Sequence, residues 1–244
     1  LLKNNRRDLL FQEKQNVNNF TFDRRVAEVF PDMIARSVPG YKAIIDKSGK
    51  LAARFVQPNS NCYDLGCSLG ATTQEVACSI IVENVSIIAI DNSQAMLNYA
   101  RLNADGIRPD TTISLINDDI RQTSIINASL VILNFTLQFI QVSERLALIT
   151  KIFEGLKPGG CLILSEKIRF KKAKVDQKIT DLHHQFKRCQ GYSDLEISQK
   201  RESIEDVLIP ETIDEHIERL NKIGFSESHT WFQCYNFCSI YALK

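Results

Sequence analysis

Between Cys62 and Gly70 the chain reads Cys-Tyr-Asp-Leu-Gly-Cys-Ser-Leu-Gly, followed at once by Ala71, Thr72 and Thr73. An apolar run ends in an acid, two glycines stand four apart, and residues suited to a first helical turn follow. The spacing predicts a strand, a tight turn and a helix N-terminus. Glycines without a Cβ let the backbone approach a ligand closely, and the helix start offers unpaired N–H groups. On this stretch alone two readings stand: a nucleotide-like ligand at the turn, or a strand-to-helix joint with no ligand. The gaps are not the Gly-x-Gly-x-x-Gly of a dinucleotide site. Asp64, two residues before the first glycine, would favour an ammonium group over a phosphate.

Further chemistry-bearing residues recur at the ends of apolar runs. Ile87 to Ile90 ends in Asp91, twenty-five residues after Gly66, where a parallel sheet can hold a ribose diol with a carboxylate. Ile113 to Ile116 leads to Asp118, Asp119 and Ile120; an acid followed by an aliphatic suits adenine, and a polar loop with a helix cap is the equal alternative. Leu130 to Leu133 ends in Asn134-Phe135-Thr136. Tyr41 sits at a helix junction, as packing or as a ligand contact. His183-His184 has no carboxylate-rich partner and adjacent helical residues diverge, so no metal is expected. The run Lys167, Arg169, Lys171, Lys172 and Lys174 reads as a solvated stretch rather than an RNA patch.

The elements that must position these residues follow from periodicity. Residues 1–20 form a polar, partly ordered arm with no expected catalytic role. Asp23 to Ser37 is helical but interrupted by Pro31, and a second helix spans Lys42 to Phe55; both cover the pocket. A helix runs from Gly70 to about Ile81, Ser93 caps a third, and Ser143 caps one that ends at Leu156-Lys157-Pro158-Gly159-Gly160, before the strand Cys161 to Leu164. A helical insertion at about 167–210 precedes a helix from Thr212 to Ile223 stopped by Gly224. Ser228 to Gln233 and Asn236 to Leu243 make a closing antiparallel hairpin. Together these predict one α/β domain over 21–244, a doubly wound, mostly parallel sheet of seven strands. The 244 residues carry a net charge of +1, which argues against blanketing nucleic acid. Seven cysteines without C-x-x-C spacing suggest free thiols in a reducing cytoplasm. Neither a membrane span nor a signal peptide is expected.

Asp64-x-Gly66-x-x-x-Gly70, Asp91, Asp119-Ile120 and the Leu156 to Gly160 turn look like the class I methyltransferase pattern, which binds S-adenosylmethionine (SAM). Phe22-Asp23-Arg24-Arg25-Val26-Ala27-Glu28-Val29-Phe30, Tyr63 to Gly70, Asn134 to Phe139 and Glu196-Ile197-Ser198-Gln199-Lys200-Arg201 closely resemble the carboxy-S-adenosyl-L-methionine synthase family, from about residue 20 to the C-terminus. The resemblance implies that SAM and prephenate give carboxy-SAM and phenylpyruvate: the acidic methyl beside the sulfonium captures the carbon dioxide released as the prephenate ring aromatises. It implies that the product serves a partner enzyme that carboxymethylates the tRNA wobble uridine, and that the protein is a homodimer. Carried over, Gly66, Cys67 and Ser68 contact the amino-acid end of SAM through backbone groups. Asp91 and Asn92 hold the ribose, Asp119 and Ile120 the adenine, and Asn134 and Tyr41 line the pocket near the sulfonium. Arg201 clamps the new carboxylate; without the resemblance it would read as a surface arginine. The alternatives are an ordinary SAM-dependent methyltransferase, although Asn134 to Leu137 lacks the Pro-Pro-aromatic element of amino-group methylation, and a non-catalytic SAM-binding protein.

Overall fold

The computed structural model describes residues 6–15, 19–104 and 112–244. In chain order the elements are α1 (Arg24–Ser37), α2 (Tyr41–Phe55), β1 (Ser60–Leu65), α3 (Ala71–Ser79), β2 (Val85–Asp91), α4 (Gln94–Ala104), β3 (Thr112–Asn117) and β4 (Ala128–Asn134). A 3-10 turn (Leu137–Phe139), α5 (Val142–Gly155), β5 (Leu156–Lys167), α6 (Ala173–Cys189), α7 (Asp194–Ile204), α8 (Ile213–Ile223), β6 (Glu227–Cys234) and β7 (Phe237–Leu243) complete it. The strands form one sheet in the order β3-β2-β1-β4-β5-β7-β6. β1 to β5 pair in parallel, and β7 runs antiparallel between β5 and β6. The order reverses between β1 and β4, and a doubly wound sheet binds ligands at such a reversal, outside the C-terminal strand ends.

Alternation along the strands builds a core on each face of the sheet. Tyr63, Leu65, Val131, Leu133, Leu162 and Leu164 pack against α5 and α8 through Leu148, Ile149, Ile152 and Leu220. Their neighbours Cys62, Leu130, Ile132, Cys161 and Ile163 face α2 and α3 through Ala52, Val56, Val76 and Ala77. Burying each large aliphatic chain contributes about 1.5–3 kcal/mol, so the strand ends stand on a rigid platform.

Several expected boundaries shift. α1 continues through Pro31 rather than breaking there. A mid-helix proline costs about 3 kcal/mol, and here the buried Val26, Ala27, Val29 and Met33, packed with Leu69 and Met96, offset it. Ser143 is not a cap: α5 starts at Val142 after Gln141, which makes no side-chain cap bond. Ser93 does cap α4, its Oγ accepting from Met96 N, and Gly224 ends α8 in the left-handed region at φ +115°. The stretch between β5 and α8 holds α6 and α7, and α7 opens with a Ser193–Glu196 capping box.

Candidate active site

The Gly66 turn takes its shape from positive φ: +79° at Gly66 and Gly70, and +51° at Ser68. The Gly66 and Cys67 N–H groups both donate to the Ile90 carbonyl, at 2.8 and 2.9 Å. A Cβ on Gly66 would collide with the Thr136 side chain. Asp91, at the end of β2, ties this turn to α4, since one carboxylate oxygen accepts from Ser68 N and the other from Ser93 N, both at 2.8 Å. Burial raises its pKa, and the two N–H groups oppose the rise. Asp64 lies behind the turn, 3% exposed, and accepts from Thr73 Oγ1 at 2.6 Å. Burial pushes its carboxyl up to about 6, reinforced by the charge of Asp91.

These strand ends open on a cavity of about 810 Å³. All ten residues singled out in the sequence line it: Tyr41, Gly66, Cys67, Ser68, Asp91, Asn92, Asp119, Ile120, Asn134 and Arg201. Asp64 does not, so it acts on this space through its charge. The Asn134 amide is fixed by Thr72 Oγ1 at 3.1 Å and Ser165 Oγ at 2.6 Å. Tyr41 packs on Phe135 with ring centroids 6.1 Å apart. Asp119 is engaged by Arg121, whose Nε lies 3.0 Å from each carboxylate oxygen; that guanidinium holds its carboxyl below the usual range.

The opposite end of the cavity is cationic. β5 delivers Lys167, α6 delivers His183, His184 and Lys187, and α7 delivers Lys200 and Arg201. Lys200 Nζ bonds Ser37 Oγ at 3.0 Å and lies 3.6 Å from Asp8. Arg201 is 66% exposed at its side chain and its Nε stands 3.6 Å from Glu205. His183 Nε2 donates to the Ser37 carbonyl at 2.8 Å; burial, aided by the charge of Lys187, lowers its pKa to about 2, so the ring is neutral. Among the described residues no group of three or more His, Cys, Asp or Glu is arranged to hold a metal.

Residues 63–160 match the family described as "Methyltransferase domain". Among solved structures, magnesium protoporphyrin IX methyltransferase from Synechocystis PCC 6803 superposes with a TM-score of 0.57 at 14% identity, over 97% of this chain and 88% of that one; at that identity the likeness speaks for the fold. Among curated proteins, the carboxy-S-adenosyl-L-methionine synthase of Aliivibrio fischeri (strain ATCC 700601 / ES114) is 54% identical over 93% of this chain and 94% of its own length. The chain belongs to the carboxy-S-adenosyl-L-methionine synthase family. The synthase of Escherichia coli O1:K1 / APEC is likewise 54% identical, over 98% of this chain and 97% of its own.

In this synthase-family chain the cavity wall also holds Lys167, Lys187, Lys200 and the aromatic rings of Phe135 and Phe237, none of which the sequence marks as a site residue. By sequence Lys167 belongs to a solvated basic run. Arg169, Lys171, Lys172 and Lys174 are indeed exposed, whereas Lys167 closes β5 and turns into the cavity wall. Its place at a parallel strand's C-terminal end was the signal that could have found it. Lys187 and Lys200 carry no local signal, because only the packing of α6 and α7 over the sheet brings them there.

Proposed function

We propose that this chain converts SAM and prephenate into carboxy-SAM, phenylpyruvate and water. The observation that carries the reading is a single cavity lined at one end by the Gly66 turn and Asp91 and at the other by Arg201. Its volume of about 810 Å³ lies in the upper part of the range for small-molecule sites, about 300–1,000 Å³, which suits two ligands meeting. The residues fit an adenosyl ligand: Asp91 keeps lone pairs free for a diol, Ile120 offers an apolar face, and the buried carboxylates of Asp64 and Asp91 favour the ammonium end.

The protein's part in the reaction is positioning and charge. Holding the sulfonium methyl against the cosubstrate converts a bimolecular encounter into a local one. Tyr41, Phe135 and Phe237 exclude water from that point. Arg201 receives the new carboxylate, which a planar guanidinium can grip with two charge-assisted bonds. The proton lost from the methyl and the hydroxyl lost from the aromatising ring leave as water, so the reaction balances without a dedicated protein base. The product then serves a tRNA carboxymethyltransferase as donor for the wobble uridine. We further propose that the protein acts as a homodimer in the cytoplasm, without binding nucleic acid or membranes itself.

The test is to incubate the purified protein with SAM and prephenate and to follow products by mass spectrometry. Carboxy-SAM and phenylpyruvate should accumulate in equal amounts. Turnover of SAM to its demethylated form on a nucleic-acid or small-molecule acceptor, with no carboxy-SAM, would make the protein an ordinary methyltransferase. SAM binding with no turnover of either kind would make it a binding protein.

A further inference from the structure

The cationic end of the cavity holds more positive charge than one product carboxylate needs. Lys200 is engaged by Asp8 and Ser37, and Arg201 stands beside Glu205. Lys167 and Lys187 differ. They come from separate elements, β5 and α6, line the same wall, and neither ammonium has a hydrogen bond or ion pair among the described residues. Lys167 feels Asp176 only at long range, and that carboxylate already accepts from Phe170 N at 2.8 Å. Both side chains are half-buried, so each ammonium is partly withdrawn from water, at a cost that a partner of opposite charge would offset. Two such groups on one wall repel each other as well, an arrangement that an entering anion relieves.

The chemistry decides which anion. In the proposed reaction prephenate brings two carboxylates with opposite fates. The ring carboxylate leaves as neutral carbon dioxide, so a cation clamped on it would stabilise the ground state more than the transition state and slow the step. The side-chain 2-oxo carboxylate keeps its full charge from substrate through to phenylpyruvate, so gripping it holds the ring in place at no cost to the chemistry. Resting on that proposed reaction, we infer that Lys167 and Lys187 form a subsite for the spectator 2-oxo carboxylate of the cosubstrate, distinct from the Arg201 position that takes the new carboxylate on SAM. Electrostatics agrees with the geometry. Burial, then the charges of Lys200 and Lys167, lowers the Lys187 pKa to about 7. Burial, then Arg201, lowers that of Lys167.

The test separates the two cations by ligand. Lys187→Met and Lys167→Gln are compared with the wild type for prephenate KM, for the affinity of phenylpyruvate in the presence of SAM, and for the affinities of SAM and carboxy-SAM alone. Each variant should raise the prephenate KM and the phenylpyruvate Kd at least tenfold and leave SAM and carboxy-SAM within about twofold; Lys187→Arg should recover much of the loss. Intact SAM binding reports that the variant is folded. Unchanged KM and phenylpyruvate Kd in both variants, with an active wild type, would overturn the subsite and leave the proposed reaction standing. Losses that fall equally on all four ligands would reduce the lysines to scaffolding and also overturn it. A wild type that does not turn over prephenate sinks the reaction and the subsite together.

Discussion

Asp91 has a structural task in addition to the ribose contact proposed for it, and a binding assay could confuse the two. Its two oxygens accept from Ser68 N and Ser93 N, so the carboxylate holds the Gly66 turn to the start of α4, and its remaining lone pairs face the cavity. A hydrogen bond to a charged group is worth about 1.5–3 kcal/mol. Asp91→Ala should therefore weaken SAM and carboxy-SAM alike by about 10- to 150-fold for each bond lost, measured by calorimetry; a loss confined to one ligand would contradict a ribose role. Gly66→Ala acts by sterics instead. The new Cβ meets the Thr136 side chain at φ +79°, so SAM affinity and Tm should both fall. Adding Thr136→Ala should restore part of the loss but leave the left-handed backbone cost of about 1–2 kcal/mol.

Helix α7 carries Lys200 and Arg201, and the N-terminal arm is what fixes it. Gln199 Nε2 donates to the Phe11 and Glu13 carbonyls at 3.0 and 2.9 Å, and its Oε1 accepts from Gln15 N at 2.8 Å. Phe20 N donates to the Ser203 carbonyl at 2.8 Å. Asp8, 1% exposed, accepts from the Tyr192 hydroxyl at 2.5 Å beside Lys200. Removing one partner from a buried ionic group costs about 3–5 kcal/mol. Asp8→Ala should thus lower Tm by roughly 6–20 °C, at about 2–4 °C per kcal/mol. The milder Gln199→Ala should weaken carboxy-SAM several-fold more than SAM, because it loosens only the helix at the cationic end; equal effects on both would argue against this positioning role. None of this was legible in the sequence, where the arm is polar and aperiodic, and residues 1–5 and 16–18 of it lie outside the described residues. What was legible is local: strand ends such as Asp91 and Asn134, the glycines of the Gly66 turn and the Gly224 stop of α8 each leave a mark within a few residues. The run through Pro31 and the start of α5 depart from the sequence expectation because tertiary burial overrides local signals, and Lys187 carries no sequence signal because its place in the cavity wall arises only from packing over a distance.

A net charge of +1 conceals a cavity polarised end to end. Burial pushes Asp64 up to about 6 at the adenosyl end, and lowers Lys187 to about 7 and Lys200 to about 8 at the other. Each end is strained in the sense that a ligand of opposite charge would relieve, so the free protein gives up stability to keep the site ready. For Lys187 the sign is definite. The unfolded chain holds that proton up to its ordinary pKa of 10.5, while the folded chain releases it near 7. The cost to the fold is therefore fully present below about pH 7 and fades as pH rises toward 10.5. The overall Tm profile will not isolate this, because Glu166, buried and raised to about 8, makes stability fall as pH climbs through 4.5 to 8. The difference between wild type and Lys187→Met removes that background. The variant should be the more stable protein at pH 6, by a margin that shrinks slightly at pH 7.5, is roughly halved at pH 9 and is nearly gone at pH 10.5. A bound 2-oxo acid should reverse the order, because it holds the ammonium charged. At pH 8 such binding must then draw a proton from solution. Calorimetry in buffers of different ionisation enthalpy should find uptake approaching one proton in the wild type and far less in Lys187→Met. A variant less stable than wild type at pH 6, or equal uptake by both, would show that Lys187 supports the fold rather than waiting for an anion.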